Sequence, residues 1–434
     1  MHIIGKAFSA AFGRRMQRAA GFLGAVLLCV LLVTAAAGCR SGDSDTAGQS
    51  LPGGKTGTDP GGGTGDVTDG GSTGPTYDGT FVIRVQQDWD NAITAINAGG
   101  SDKSYEIQIA QDVTLSGSTG PTFDADDLSV IISGEKTVTL TGQGSLVNAK
   151  DTQDITLEDV TFVGVNDNNT SLVRADGGTI EMQGNAAITG NSTTTAGGGV
   201  IVENGGTLIM GDSASVTGNK ASGAVAVYGG ETVGGGGVLL NGGTVEMSGN
   251  ASITGNEATG FNNGTCGGGA GVMYGTFTMS GDAVISGNIG DDDGGGVCVK
   301  QGGIFVMKER SKVYGNTARN AGGGPSGGGI FVADNAVVKM MDESSVYANT
   351  AYGRGGGVDV DSGTFQMGGG VVYGSEAAED KRNSASLGGA AFGLYRYGAI
   401  KRGTFDAEGN FTELGSLLQS DTTIRVNPLT GALE

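Results

Sequence analysis

Histidine is almost missing from this chain: His2 is the only one in 434 residues. It lies in a basic, apolar leader of the kind that is cleaved on export, so the mature protein is expected to have no imidazole. That excludes His-based acid–base catalysis, Ser–His–Asp triads and ordinary His-containing zinc sites. Helical periodicity is missing too. No window within the central repeats has helical spacing, which rules out leucine-rich, ankyrin and tetratricopeptide arrays. Basic residues are scarce, 25 against 45 acidic ones. Loss of residues 1–38, which hold Lys6, Arg14, Arg15 and Arg18 and no acid, moves the formal charge from −20 to −24. A surface that acidic opposes nucleic-acid binding. No set of ten-residue amphipathic strands follows the repeats, so the chain does not read as an autotransporter with its own membrane barrel.

What is there is repetition. A methionine recurs at Met182, Met210, Met247, Met279, Met307, Met340 and Met367. Two residues earlier stands Ile180, Leu208, Val245, Phe277, Phe305, Val338 or Phe365. Six residues after the first six methionines comes Ile188, Val216, Ile253, Ile285, Val313 or Val346. Nine residues after them comes Asn191, Asn219, Asn256, Asn288, Asn316 or Asn349. The seventh copy drops a residue and reads Tyr373-Gly374-Ser375. Methionine spacings of 27 to 37 residues signal a solenoid. Val245 and Met247 alternate with Thr244, Glu246 and Ser248, the rhythm of a strand with one buried face. Ala251–Thr254 reads as a second strand. A third follows each glycine cluster, as in Val200–Val202, Val238–Leu240, Val297–Val299, Ile330–Val332 and Val358–Val360. Three short strands per unit predict an all-β fold, a single-stranded right-handed parallel β-helix, the hand being that of parallel crossovers. Like residues then stack every ~4.8 Å, with the asparagines as a structural ladder at a tight corner.

The leader, residues 1–38, combines a basic start with an apolar run from Gly21 to Ala37, the layout of a secretory signal. Its end, Ala36-Ala-Gly-Cys39, resembles the lipobox of bacterial lipoproteins, with Ala36 where leucine is usual. That resemblance implies cleavage before Cys39, lipidation of its thiol and an acyl anchor. Arg40 after the cysteine implies outer-membrane delivery. A plain signal peptide or a transmembrane anchor are the alternatives. Residues 39–80 are Gly, Asp, Ser, Thr and Pro with almost no large apolar residue, which predicts a disordered tether. Residues 81–177 read as an N-terminal cap followed by irregular coils. Trp89, Ala92, Ile93 and Ile96 share one helical face, with Asp88 as N-cap and Gly99 closing a short lid over the open end of the solenoid. Residues 178–375 hold the seven regular repeats, and 376–434 the last coil and C-terminal cap.

Few groups with chemistry remain. Cys266 and Cys298 fall in neighbouring coils; Cys298 is expected to point outward, and a disulfide and two free thiols both stay open. Asp291, Asp292 and Asp293 form the densest acidic cluster of the repeats. It fails the EF-hand pattern, since Ile289 and Lys300 occupy the first and twelfth positions. Solvated loop acids are the plain reading and weak calcium binding the other; Asp124, Asp126 and Asp127 make a second such cluster. No cofactor is expected. One residue beyond the aliphatic column stand Thr189, Thr217, Thr254, Ser286, Tyr314, Tyr347 and Tyr373. These are expected to form an outward ladder ending in three tyrosines, able to stack on a sugar or an apolar partner, or simply stabilising the stack. Between the corner asparagine and the next glycine triplet lie 5, 14, 10, 5, 10 and 5 residues. The long loops, Lys220–Val233, Glu257–Cys266 and Thr317–Ser326, therefore share one edge, a common place for a binding face.

Glycine pairs before an aliphatic residue (Gly268-Gly269-Ala270, Gly295-Gly296-Val297, Gly328-Gly329-Ile330) and the phrases Val216–Ala221 and Ile253–Ala258 resemble repeats of the polymorphic membrane proteins. Those are β-helical bacterial surface adhesins of the pectate-lyase-like superfamily. The likeness spans about residues 178–405 and departs from it in two respects: Ile or Val replaces the family's Phe before the Asn, and the C-terminal barrel is missing. It implies a lipid-anchored protein of the outer membrane or cell surface that binds a host or envelope glycan or protein, without catalysis. A carboxylate-dependent polysaccharide lyase or hydrolase on the same scaffold is the alternative.

Overall fold

The structure, a computed structural model, describes residues 77–434 except 224, 227–231, 261–265, 320–323 and 325. It is a parallel β-solenoid of about ten turns. The alternation read from the sequence places each methionine strand directly over the next: Met182 pairs with Met210, Met210 with Met247, and so on through Met279, Met307 and Met340 to Met367. The large apolar residue two positions earlier stacks in the same register, and Phe277 meets Phe305 edge-on at 5.5 Å between ring centroids. The aliphatic strands form their own ladder, Ile188 over Val216, Ile253, Ile285, Val313, Val346 and Val372. All seven methionines are buried. Identical residues meet because the rungs hold one register, and burying each side chain is worth roughly 1.5–3 kcal/mol.

Each regular turn contains four ladders rather than three. The fourth is a two-residue strand just after the corner asparagine: Ser192–Thr193, Lys220–Ala221, Glu257–Ala258, Ile289–Gly290, Thr317–Ala318, Thr350–Ala351 and Ser384–Ala385. Two residues are too few for an alternation to be visible in sequence.

The asparagine ladder is present and longer than the six residues read from the repeats. The backbone N–H of Asn191 donates to Asn219 Oδ1 at 3.0 Å and that of Asn256 to Asn288 Oδ1 at 2.9 Å. From Asn219 onward each Nδ2 reaches back to the aliphatic carbonyl of the preceding turn, as Asn288 does to Ile253 at 3.0 Å. Asn168 joins below, donating to Asn191 Oδ1, and Asn383 joins above, accepting from Asn349 N at 2.8 Å. The seventh copy has therefore not lost its asparagine; the segment after Gly374 delays it to Asn383. The left-handed corner residue is not the asparagine but the one before it: Gly190, Gly218, Gly255, Gly287 and Gly315, and Ala348 at φ 55°. The last glycine of each triplet packs on this ladder. A Cβ on Gly269 would lie 2.8 Å from Asn288 Nδ2 and 2.7 Å from Gly296 O.

Both ends are closed. The helix Gln86–Gly99 buries Trp89, Ala92 and Ile96 in the common core. Its N-terminus differs from the sequence reading: Asp88 is the third helical residue, and its carboxylate accepts the N–H groups of Arg84 (2.9 Å) and Val85 (3.2 Å). At the other end the chain turns round and retraces the last turn backwards. Phe411–Leu417 runs antiparallel to Ala399–Phe405, Ser420 bridges Phe392, and Ile424–Arg425 runs antiparallel to Val371–Val372. This reversed coil is the C-terminal cap.

Candidate functional site

The strands after the glycine triplets have apolar residues on both faces. Val238 and Leu240 point into the main core, while Leu239 points outward into a second apolar cluster with Ala196, Ile201, Val233, Cys266, Met273, Cys298, Phe331 and Ala333. What covers this outer face is the return of each loop. Val233, at the end of the first long loop, sits so close to Gly271 that a Cβ there would lie 2.6 Å from Val233 Cγ1. Cys266, at the end of the second, forms a disulfide with Cys298 of the next turn, with 5.5 Å between the Cα atoms. Ser326, at the end of the third, donates its backbone N–H to Asp359 Oδ2 at 3.3 Å. The sequence placed Cys298 outward correctly and left the pairing open; loop burial brings the two thiols together.

The feet of the same loops are joined by ion pairs. Lys220 meets Glu257 at 3.1 Å, and Arg319 meets Glu257 at 3.2 Å and Asp291 at 3.7 Å. Three loops from three turns are thus tied to one another where they leave the solenoid and to the next turn where they return. Residues 224, 227–231, 261–265, 320–323 and 325, within these loops, lie outside the described residues.

The acidic triplet is not a set of solvated loop acids. Asp291 and Asp293 are buried beneath this edge. Among the described residues no group of three or more His, Cys, Asp or Glu is placed to hold a metal ion. A second polar cluster, unread in the sequence, closes the outer face near the C-terminal end. Asp359 and Asp361 share one strand face; Arg354 approaches Asp359 at 3.9 Å and Arg396 approaches Asp361 at 3.6 Å. The Arg354 guanidinium lies over the Tyr395 ring at 3.9 Å. Asp359 is fully buried, and that burial pushes its carboxyl up to about 6, with Arg354 pulling the other way and Asp361 adding to the rise. The signal for it was the sequence Val358-Asp-Val-Asp361, two acids where the preceding turn carries Phe331 and Ala333.

The tyrosine ladder forms on the outer surface of the aliphatic ladder. Tyr314 and Tyr347 stack with ring planes 3° apart and centroids 5.0 Å apart, and Tyr373 meets Tyr347 edge-on at 6.1 Å. Lys381 Nζ sits over the Tyr347 ring at 4.1 Å. The rings therefore spend much of their faces on one another and on Lys381. Burial, and then the neighbouring tyrosines, raise the Tyr347 phenol. Cys39 lies outside the described residues, and no helix among the described residues is long and apolar enough to cross a membrane.

Compared with protein-family models, curated proteins and solved structures, the chain finds no match in any of the three.

Proposed function

We propose that this is an exported protein, held to the outer membrane or cell surface by acyl chains on Cys39, that works by binding a host or envelope glycan or protein and carries out no catalysis. One observation carries the reading: three loops from three of four consecutive turns are fixed at both ends along a single edge of the stack. Loop ends held this way have no further conformational entropy to lose on meeting a partner, which favours recognition. The disulfide supports export, because such bonds persist in oxidising compartments. The glycine-pair and Gly-Asn phrases support an adhesin resembling the polymorphic membrane proteins. The tyrosine ladder, largely occupied by its own contacts, is the lesser contact candidate.

The test has two parts. Protease or antibody applied to intact cells should reach the loop edge, and Cys39→Ala should release the chain from the membrane. Replacing residues 222–232, 259–265 and 319–325 by short Gly-Ser connections should abolish binding to glycan or matrix-protein arrays while the far-UV spectrum stays β. Binding that survives all three replacements rejects the reading.

A second reading draws on Asp359 and Asp361. Paired carboxylates are what such chemistry requires, and Asp359, its carboxyl raised to about 6, would have to be uncovered from beneath Arg354 to reach a polysaccharide. Release of fragments from an acidic polysaccharide, lost in Asp359→Asn, would favour it over binding alone.

A further inference from the structure

The reversed coil at the C-terminal end differs from the rest of the surface. Of the eleven exposed large apolar residues among the described ones, seven lie from Leu387 to Leu433, Leu414, Leu418, Leu429 and Leu433 among them. Tyr397, Leu418 and Leu429 are the most exposed of all, at 91, 77 and 89%. The same stretch is nearly neutral. Arg396, Lys401, Arg402 and Arg425 stand against Asp406, Glu408, Glu413, Asp421 and Glu434, in a chain whose formal charge is −20. Self-association is opposed by charge over most of this molecule and is not opposed here.

The strand Phe411–Leu417 also ends its sheet. Among the described residues it has one strand neighbour, Ala399–Phe405, and a bulge between Glu413 and Gly415 turns Leu414 out of that ladder, leaving it half exposed. The other edge of the strand presents backbone groups to any further strand. Its sequence fits its own reverse. In an antiparallel pairing centred on Leu414, Phe411 faces Leu417, Thr412 faces Ser416, and Glu413 faces Gly415. No like charges oppose one another, apolar meets apolar, and Glu413 is already neutralised by Lys401 at 2.9 Å.

We propose that this end docks a second copy of the same chain, Phe411–Leu417 pairing antiparallel with its counterpart across a two-fold axis. Such an isologous contact closes on itself and yields a dimer, not a fibre. Leu418 and Leu429 flank the paired strands and would be covered with them. The inference stands independently of the binding reading above, since it uses none of the loop edge.

Sedimentation of the full chain in mild detergent tests it. The chain should show a monomer–dimer equilibrium with no larger species. Leu414→Lys with Leu418→Lys should raise the dissociation constant at least about tenfold while leaving the thermal midpoint of the exposed-site variant unchanged. Leu414→Cys, which would face itself across the axis, should form a disulfide-linked dimer that the unmodified chain does not. A chain that stays monomeric, a dimer indifferent to the lysines, or open-ended assembly would each overturn the proposal.

Discussion

Ala348 occupies the corner that Gly190, Gly218, Gly255, Gly287 and Gly315 occupy in the other turns, with the same left-handed backbone. A Cβ in that region costs about 1–2 kcal/mol, part of which alanine recovers by restricting the unfolded chain. Ala348→Gly should therefore stabilise the protein by about 0.5–1 kcal/mol, read as a higher urea midpoint at unchanged m-value. Asp359 gives a sharper case. Its folded pKa, about 6, lies above its ordinary value, so the folded state holds the proton more tightly than the unfolded chain does. The stability this group contributes is complete below about pH 4 and lost as pH rises through 6. Asp359→Asn should remove that dependence and gain on the order of 2 kcal/mol over the native chain at pH 8. Urea titrations of both proteins at pH 4.5 and pH 8 check it; parallel losses would show that the buried carboxyl is not the cause.

At the scale of the strand and loop, the Cys266–Cys298 bond closes a separation of 32 residues. By the loop-entropy relation its loss costs about 3–4 kcal/mol. Cys266→Ala with Cys298→Ala should lower the thermal midpoint and open Glu257–Cys266 to proteolysis, while nicking at Thr317–Ser326 stays as before. Much of this architecture was legible in the chain. The two-residue alternation at Val245 and Met247, the methionine column and the corner asparagines are enough to specify three ladders and their register. Three features were not legible, each for a physical reason. The ladder through Ala221, Ala258, Ala318 and Ala351 is two residues deep, below the length at which a period exists. Asn168 and Asn383 sit beyond insertions, so counting from the preceding rung misses them. The covered outer face had a signal: Val238-Leu239-Leu240 is apolar without interruption, as a strand buried on both sides must be. The same run in Val200-Ile201-Val202 and Ile330-Phe331-Val332 says that loops must fold down over it. Loop lengths mark an edge; only the structure shows that the edge is tied at both ends.

At the scale of the whole molecule, the strand ladders join each turn only to its neighbours, and the Arg319–Glu257 ion pair reaches across one turn more, so stability is close to a sum of turns and interfaces. Opening should start at the ends and move inward. Amide hydrogen exchange should be slowest in the turns between Met247 and Met340, where the columns of asparagine, methionine and aliphatic side chains have partners on both sides, and faster in the irregular turns before Asp176 and in the reversed coil after Phe405. Uniform protection along the chain would contradict that order. The bond between Cys266 and Cys298 has one more consequence, for a protein pulled along its length. A tug on either terminus would peel turns off like thread from a bobbin, but the 32 residues bridged by the two sulfurs could not pay out. Up to about 110 Å of slack would be withheld from the extended chain, and a force–extension trace taken with and without reductant would differ by that length.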